Sequence, residues 1–270
     1  MLQVALIYDF DGTLSPKNMQ EFGFIQAIGK DIQEFWNASN NLSKENDASS
    51  VLCYMYQMLK TAKANDISLR RESFNKFGSM VELFPGVKEW FKLINDYGQT
   101  IGLDIHHYIN SSGLKEMIEG TEIAKEFEAI YACSFMYDVD GVAYWPAVAV
   151  DYTTKTQFIF KINKGIREVS DNHRVNQFVP EIDRPVPFSR MIYFGDGETD
   201  IPCMKLVKLS GGHSIAVYHD EVNKLKAENL IKENRVNFAC LADYSEGSAI
   251  HQKVVKILNK IKADHAVVED

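Results

Sequence analysis

The residues best suited to chemistry form two acidic groups, each at the end of an apolar run. Val4-Ala5-Leu6-Ile7-Tyr8 leads into Asp9-Phe10-Asp11-Gly12-Thr13, and Met191-Ile192-Tyr193-Phe194 leads into Gly195-Asp196-Gly197-Glu198-Thr199-Asp200. Carboxylates gathered at one point repel one another and resist desolvation, and a hard divalent cation with a phosphate ligand is a common counterweight. The chemistry such a group could perform is displacement at phosphorus. Asp9 would supply the attacking carboxylate. Asp11 lies two residues on, so an extended chain points it to the same side. It would protonate the departing alkoxide and later take a proton from water. Gly12 permits a tight turn away from the strand.

Short apolar runs with polar tips, alternating with helical periodicity, are the pattern of a parallel sheet flanked by helices. Besides the two runs above, strands are expected over 100–109, 129–135, 214–218 and 236–241. Helices are expected from Trp90 to Gly98, from Leu114 to Phe127, from Thr153-Thr154 to Gly165, and around 251–261, with the last few residues frayed. Residues 170–187 carry three prolines without periodicity and read as a long loop. Between the first acidic tip and Phe84 the spacing turns helical: Phe22, Ile25, Ile28, Ile32, Phe35 and Trp36 form one stripe, and Val51 to Leu59 another. Asn37 to Ser50 reads as a polar turn between them. Tyr54, Met55 and Met58 read as helix core.

Other candidates are weaker alone. Ser111, in Asn110-Ser111-Ser112-Gly113, could donate its hydroxyl to a phosphoryl oxygen beside the loop amides, with Ser112 the alternative in register. The same residues would make an ordinary helix-starting turn. Lys155, Lys161 and Lys164 share one helix; only Lys155 stands at its N-terminal end, where its charge adds to the positive pole. Asp138-Val139-Asp140-Gly141 repeats the spelling of residues 9–12 but precedes a strand-like run and reads as a hairpin turn. His106 and His107 are adjacent on a strand and face opposite ways, so they cannot share one ion.

Composition is that of an ordinary globular chain: 270 residues, 46% hydrophobic, 24% charged, with a net charge of -8. No basic cluster offsets that charge, which argues against nucleic acid or anionic membranes as partners. No apolar stretch is long enough to cross a bilayer. The N-terminus does not read as a signal peptide, so a cytoplasmic protein is expected. Cys53, Cys133, Cys203 and Cys240 are scattered singly and read as reduced packing residues.

The four motifs, taken in order, resemble those of the haloacid dehalogenase-like superfamily of hydrolases. Asp9 to Thr13 looks like the first motif, Ser111 the second, Lys155 the third, and Gly195 to Asp200 the fourth, over residues 4 to about 210. The resemblance implies a doubly wound parallel α/β core, residues 1–15 and 85–270, with a small helical cap at 16–84. That cap position is similar to the phosphoserine phosphatase-like and phosphoglucomutase-like branches.

It further implies a phosphatase that hydrolyses a small phosphomonoester through an aspartyl-phosphate on Asp9, with Asp11 as general acid and base. Ser111 and Lys155 would bind the phosphate. Mg²⁺ would be held by Asp9, Asp196 and the main-chain carbonyl of Asp11, with Gly12, Thr13 and Asp200 in support. Asp200 would steady the metal's surroundings or orient Lys155, and it could also cap the helix at Ile201-Pro202. Cap residues near Met19, Phe22 and Phe24 would face the substrate. A phosphomutase would keep all four motifs, a dehalogenase would not need Asp11, and a regulatory module could bind phosphate without turnover. The phosphate ester itself and the oligomeric state are not legible.

Overall fold

The computed structural model describes residues 1–67 and 69–269, excluding the side chains of 267–269. The chain opens with strand β1 (Leu2–Tyr8), whose Val4 to Tyr8 are wholly inaccessible to solvent. Burial on both faces is what a continuous Val/Ile/Leu run requires at the centre of a parallel sheet. A tight turn over residues 10–15 follows, with the Gly12 and Leu14 amides bonded to the Ser15 and Phe10 carbonyls at 2.7 and 2.8 Å.

The next seventy residues are helical: a 3-10 turn (Met19–Phe22), α1 (Phe24–Ala27), α2 (Ile32–Asn46), α3 (Ser50–Ala64) and α4 (Arg71–Gly78). The stretch expected as a polar turn, Asn37 to Ser50, is mostly the second half of α2. Asp31 caps that helix through the Gln33 and Glu34 amides. Its polar residues are helical because that half is largely exposed, where burial does not demand apolar side chains.

The chain rejoins the sheet at Phe84, whose amide bonds to the Leu14 carbonyl at 2.9 Å, and enters α5 (Val87–Thr100). Thr100 therefore ends a helix, not begins a strand. Strand β2 (Leu103–Leu114) runs further than expected and contains the predicted polar tip. Against β3 (Ala129–Tyr137), Asn110 pairs with Tyr131 and Leu114 with Cys133. Four steps on β2 thus face two on β3, so Ser111 to Gly113 bulge out of the sheet.

The helix expected over 114–127 is only α6 (Lys115–Glu119), followed by a 3-10 turn at Ala124–Glu126. Its path is constrained where α4 crosses it. A Cβ at Gly78 would lie 1.9 Å from the Met117 carbonyl oxygen, and one at Gly120 2.1 Å from that of Asn75. Two glycines thus let the helical segment approach the sheet's flank backbone to backbone.

Strand β4 (Ala143–Val148) returns antiparallel along β3, the hairpin expected there, with Asp138 to Gly141 as its turn. Then come a 3-10 turn (Tyr152–Lys155), α7 (Thr156–Asn163), and α8 (Asn172–Asn176) within the stretch read as loop. Strand β5 (Met191–Gly195) and helix α9 (Ile201–Leu209) carry the second acidic group. Strand β6 (His213–Tyr218), helix α10 (Glu221–Lys232), strand β7 (Phe238–Leu241) and helix α11 (Ala249–Glu269) complete the chain. The final helix continues past Ile261 through residues expected to fray; Asp270 lies outside the described residues.

The sheet order is β4-β3-β2-β1-β5-β6-β7, parallel except for the edge strand β4. Excursions from β1 go outward to β2 on one side and to β5 on the other, so a crevice opens at the carboxyl end of β1, where α/β sheets place their ligands.

Candidate active site

Tyr8 pairs with Ile109 on one side and Phe194 on the other, so Asp9, the β2 bulge and Asp196 leave the sheet side by side. Oxygens of Asp9, Asp196 and Asp200 lie within 4.8 Å of one another. Gly12 is required here twice over. Its φ is +75°, and a Cβ would lie 2.2 Å from Asp196 Oδ2.

One ammonium serves the cluster. Lys155 is fully buried, with Nζ 2.7 Å from Asp200 Oδ1 and 3.1 Å from Asp9 Oδ1. Burial alone would lower its pKa, but the charges of Asp200 and Asp9 outweigh it and hold the lysine protonated. Lys161 and Lys164 donate instead to the main-chain carbonyls of Glu168 and Asp171, and of Val175 and Gln177. Lys155 lies beneath the cavity, not on its wall.

Asp200 Oδ1 also accepts the Tyr193 hydroxyl at 2.8 Å, and its Oδ2 takes the Gly197 amide at 3.4 Å. It makes no side-chain bond to the start of α9, so it does not cap that helix. Its carboxyl is raised by burial first and by Asp9 next. Asp196 and Asp11 are raised well above the usual carboxylate range by the same two causes. Four carboxyl groups thus face one ammonium, an arrangement that lacks positive charge.

The donor set fits a magnesium-type ion. Every side-chain donor is a carboxylate oxygen, and Asp9 Oδ1, though paired with Lys155 by charge, is buried without a hydrogen bond. Asp11 Oδ1 is fixed by the Met19 amide at 2.9 Å.

Asp9, Asp11 and Asp196 floor a cavity of about 520 Å³. The β2 bulge forms part of its wall. Ser111 Oγ accepts the Gly113 amide at 3.0 Å, while Ser112 Oγ is buried and unpartnered. Both serines line the space, and both hydroxyl protons remain available to a ligand. Thr13 is buried behind the wall, its carbonyl accepting the Tyr244 hydroxyl. Glu198 is exposed.

The far wall comes from the helical segment, in part beside the positions expected, since Gln20 and Glu21 lie between Met19 and Phe22. Met19 packs inward, its sulfur 3.1 Å from the Leu114 amide, and Phe24 sits between Phe35 and Phe77. Neither they nor Phe22 lines the cavity; Gln20, Glu21, Trp36 and Tyr54 do. Trp36 and Tyr54 occupy the edge of the helical stripe, so their apolar spacing is shared with true core positions and hides them. The two histidines part as expected. His107 is buried between Tyr8 and Asn95, and His106 bonds Asp104.

No family model matches the chain. A protein of Borreliella burgdorferi, described only as uncharacterized, is 29% identical over 94% of this chain and 95% of its own length. Among solved structures, a HAD family hydrolase of Salmonella enterica serovar Typhi superposes with a TM-score of 0.59. It is 14% identical and covers 94% of this chain and 70% of its own. A phosphoserine phosphatase solved as an analogue of its phospho-aspartyl intermediate gives 0.55 at 14% identity, over 95% and 99%. A substrate-bound phosphoserine phosphatase gives 0.54 at 15%, over 88% and 100%. The fold is therefore that of haloacid dehalogenase-like, phosphoserine phosphatase-like proteins. None of the helices among the described residues is long and apolar enough to cross a membrane.

Proposed function

We propose that this protein hydrolyses a small phosphomonoester in two displacements. The observation that carries the reading is Asp9: a carboxylate at the floor of a cavity, charge-paired through Oδ1 with a buried lysine and without a hydrogen bond on that oxygen. A nucleophile needs a lone pair not already committed to a donor. In the first step a carboxylate oxygen of Asp9 attacks phosphorus, the ester bond breaks, and Asp11 gives its proton to the departing alkoxide. In the second, Asp11 takes a proton from water as the water's oxygen attacks the phosphoryl group on Asp9, releasing phosphate and restoring the carboxylate.

Lys155 and the hydroxyls of Ser111 and Ser112 balance the phosphoryl oxygens; Asp200 and Tyr193 hold Lys155 in place. Asp9, Asp196 and the Asp11 carbonyl would hold Mg²⁺, which when bound would supply charge neutralisation and phosphate orientation. The segment 16–84 acts as a cap, walling the leaving-group end from solvent. Four buried, unpaired thiols suit a reducing cytoplasm.

The test is phosphate release from p-nitrophenyl phosphate with and without Mg²⁺, by the native protein and by Asp9→Asn. Turnover that needs Mg²⁺ and falls by about three orders of magnitude or more in the variant is expected for loss of a covalent nucleophile. Equal turnover by the variant would overturn the reading.

A further inference from the structure

We propose that the alcohol half of the substrate carries an ammonium group and no carboxylate, a phosphorylated amino alcohol. This rests on the phosphatase reading above and concerns the opposite end of the same cavity. Three features of that end agree.

The first is charge. Beyond the acids of the floor, the cavity wall adds Glu21, and its basic side chains are Lys17, which is exposed, and His219; among the described residues no arginine lines it. A substrate carboxylate would meet Glu21 with no guanidinium to receive it. Glu21 is also held in place. Its Oε1 accepts the indole N–H of Trp36 at 2.9 Å and the Asn18 side-chain Nδ2–H at 2.8 Å, and among the described residues Oε2 has no donor.

The second is the aromatic pair. Trp36 and Tyr54 line the cavity with centroids 6.0 Å apart at 68°, and the indole edge is turned to Glu21. Aromatic rings beside a fixed carboxylate favour a cation that has lost part of its water shell.

The third is Gln20. It is 2% exposed, lines the cavity, and its Oε1 has no hydrogen-bond partner. A buried acceptor without a donor is costly unless the ligand brings one. An ammonium with N–H bonds satisfies Gln20 and Glu21 together, whereas a quaternary ammonium would answer only the charge and the rings.

The probes are O-phosphoethanolamine, its uncharged near-isostere propyl phosphate, and O-phosphoserine, which adds a carboxylate. Turnover is measured for the native protein and Glu21→Gln, and binding is measured by calorimetry on Asp9→Asn with the first two. The expected kcat/KM for phosphoethanolamine exceeds either competitor about tenfold or more, and the preference over propyl phosphate shrinks to about threefold or less in Glu21→Gln. Equal use of propyl phosphate, preference for phosphoserine, or a preference that survives Glu21→Gln would overturn the inference. Calorimetry separates the two claims. Tighter binding of phosphoethanolamine without turnover of any ester upholds the ammonium site and overturns hydrolysis; equal binding of the two overturns the ammonium site.

Discussion

Tyr54 of α3 donates its hydroxyl to the main-chain carbonyl of Ser112, in the bulge of β2, across 2.7 Å. Two further bonds tie the helical segment to the loops around Asp9: the Met19 amide to Asp11, and Ser49 Oγ to Asp151 at 2.9 Å. Asp151 starts the 3-10 turn that carries Lys155. Three of the segments around Asp9 are therefore held by the helical segment as well as by the sheet.

Tyr54→Phe keeps the ring and removes one such bond, worth about 0.5–1.5 kcal/mol. We expect kcat/KM for a generic phosphate ester to fall roughly twofold to tenfold while the unfolding midpoint moves little. An unchanged kcat/KM would show that the bond does not position the β2 bulge.

Gly12→Ala puts a methyl group within 2.2 Å of an Asp196 oxygen and strains a left-handed residue. Either Asp196 or the turn must move. Steady-state kinetics across a Mg²⁺ titration should show a raised Mg²⁺ requirement and a loss of kcat of about a hundredfold, the order seen when a metal's surroundings are disturbed. Native kinetics would mean that the close approach is dispensable.

Lys155→Met leaves Asp9 and Asp200 buried without their cation. Removing one partner of a buried pair costs about 3–5 kcal/mol, to be read as a shift of the urea midpoint at pH 7. The double variant Lys155→Met, Asp200→Leu should recover part of that loss. A destabilisation below about 1 kcal/mol by the single variant would contradict a structural role for the pair.

Acid should weaken the fold through His107, whose pKa burial, followed by the neighbouring His106, pushes down to about 3. The Tyr8 hydroxyl, itself accepting Trp90 Nε1–H, donates to His107 Nδ1, and Nε2–H is left to donate to Asn95 Oδ1. This chain is complete only with a neutral ring. An unfolded chain takes up the proton near pH 6.5, the folded one only near pH 3, so the contribution is full above about 6.5 and is lost as pH falls through that window. The raised carboxylates of the cluster titrate in the opposite sense, stabilising the fold as pH falls. The comparison is therefore between the native protein and His107→Leu by urea unfolding at pH 7 and pH 4. The variant is weaker at pH 7 but should lose less on acidification. Equal losses would contradict the assignment.

The acids at residues 9, 11, 196 and 200 were legible because each pair follows a strand buried on both faces, whose apolar run gives both the element and its end. Lys155 was legible by position in its helix, although its burial beneath Asp9 was not. The cavity's far wall was legible only as a neighbourhood around Met19 to Phe24, not by residue. Gln20 and Glu21 stand where a helical stripe merely predicts an amphipathic turn, and Trp36 and Tyr54 share the spacing of core residues such as Phe35 and Met55. Which face of α2 and α3 meets the site depends on how the segment docks, and that is set by Gly78 and Gly120 through backbone contacts that no periodicity records. The polar half of α2 was hidden for another reason: an exposed helix needs no stripe there. Nor does Glu221 to Lys232, with one buried residue, Ala227, announce the helix it forms.

The central claim is that Asp9 carries the phosphoryl group between the two steps. The direct measurement is to mix the protein with Mg²⁺ and p-nitrophenyl phosphate, quench in acid during turnover, and map the added phosphoryl group by mass spectrometry of peptides. The account predicts it on Asp9, and its absence from Asp9→Asn. A phosphoryl group mapped to another residue of an active protein would contradict it.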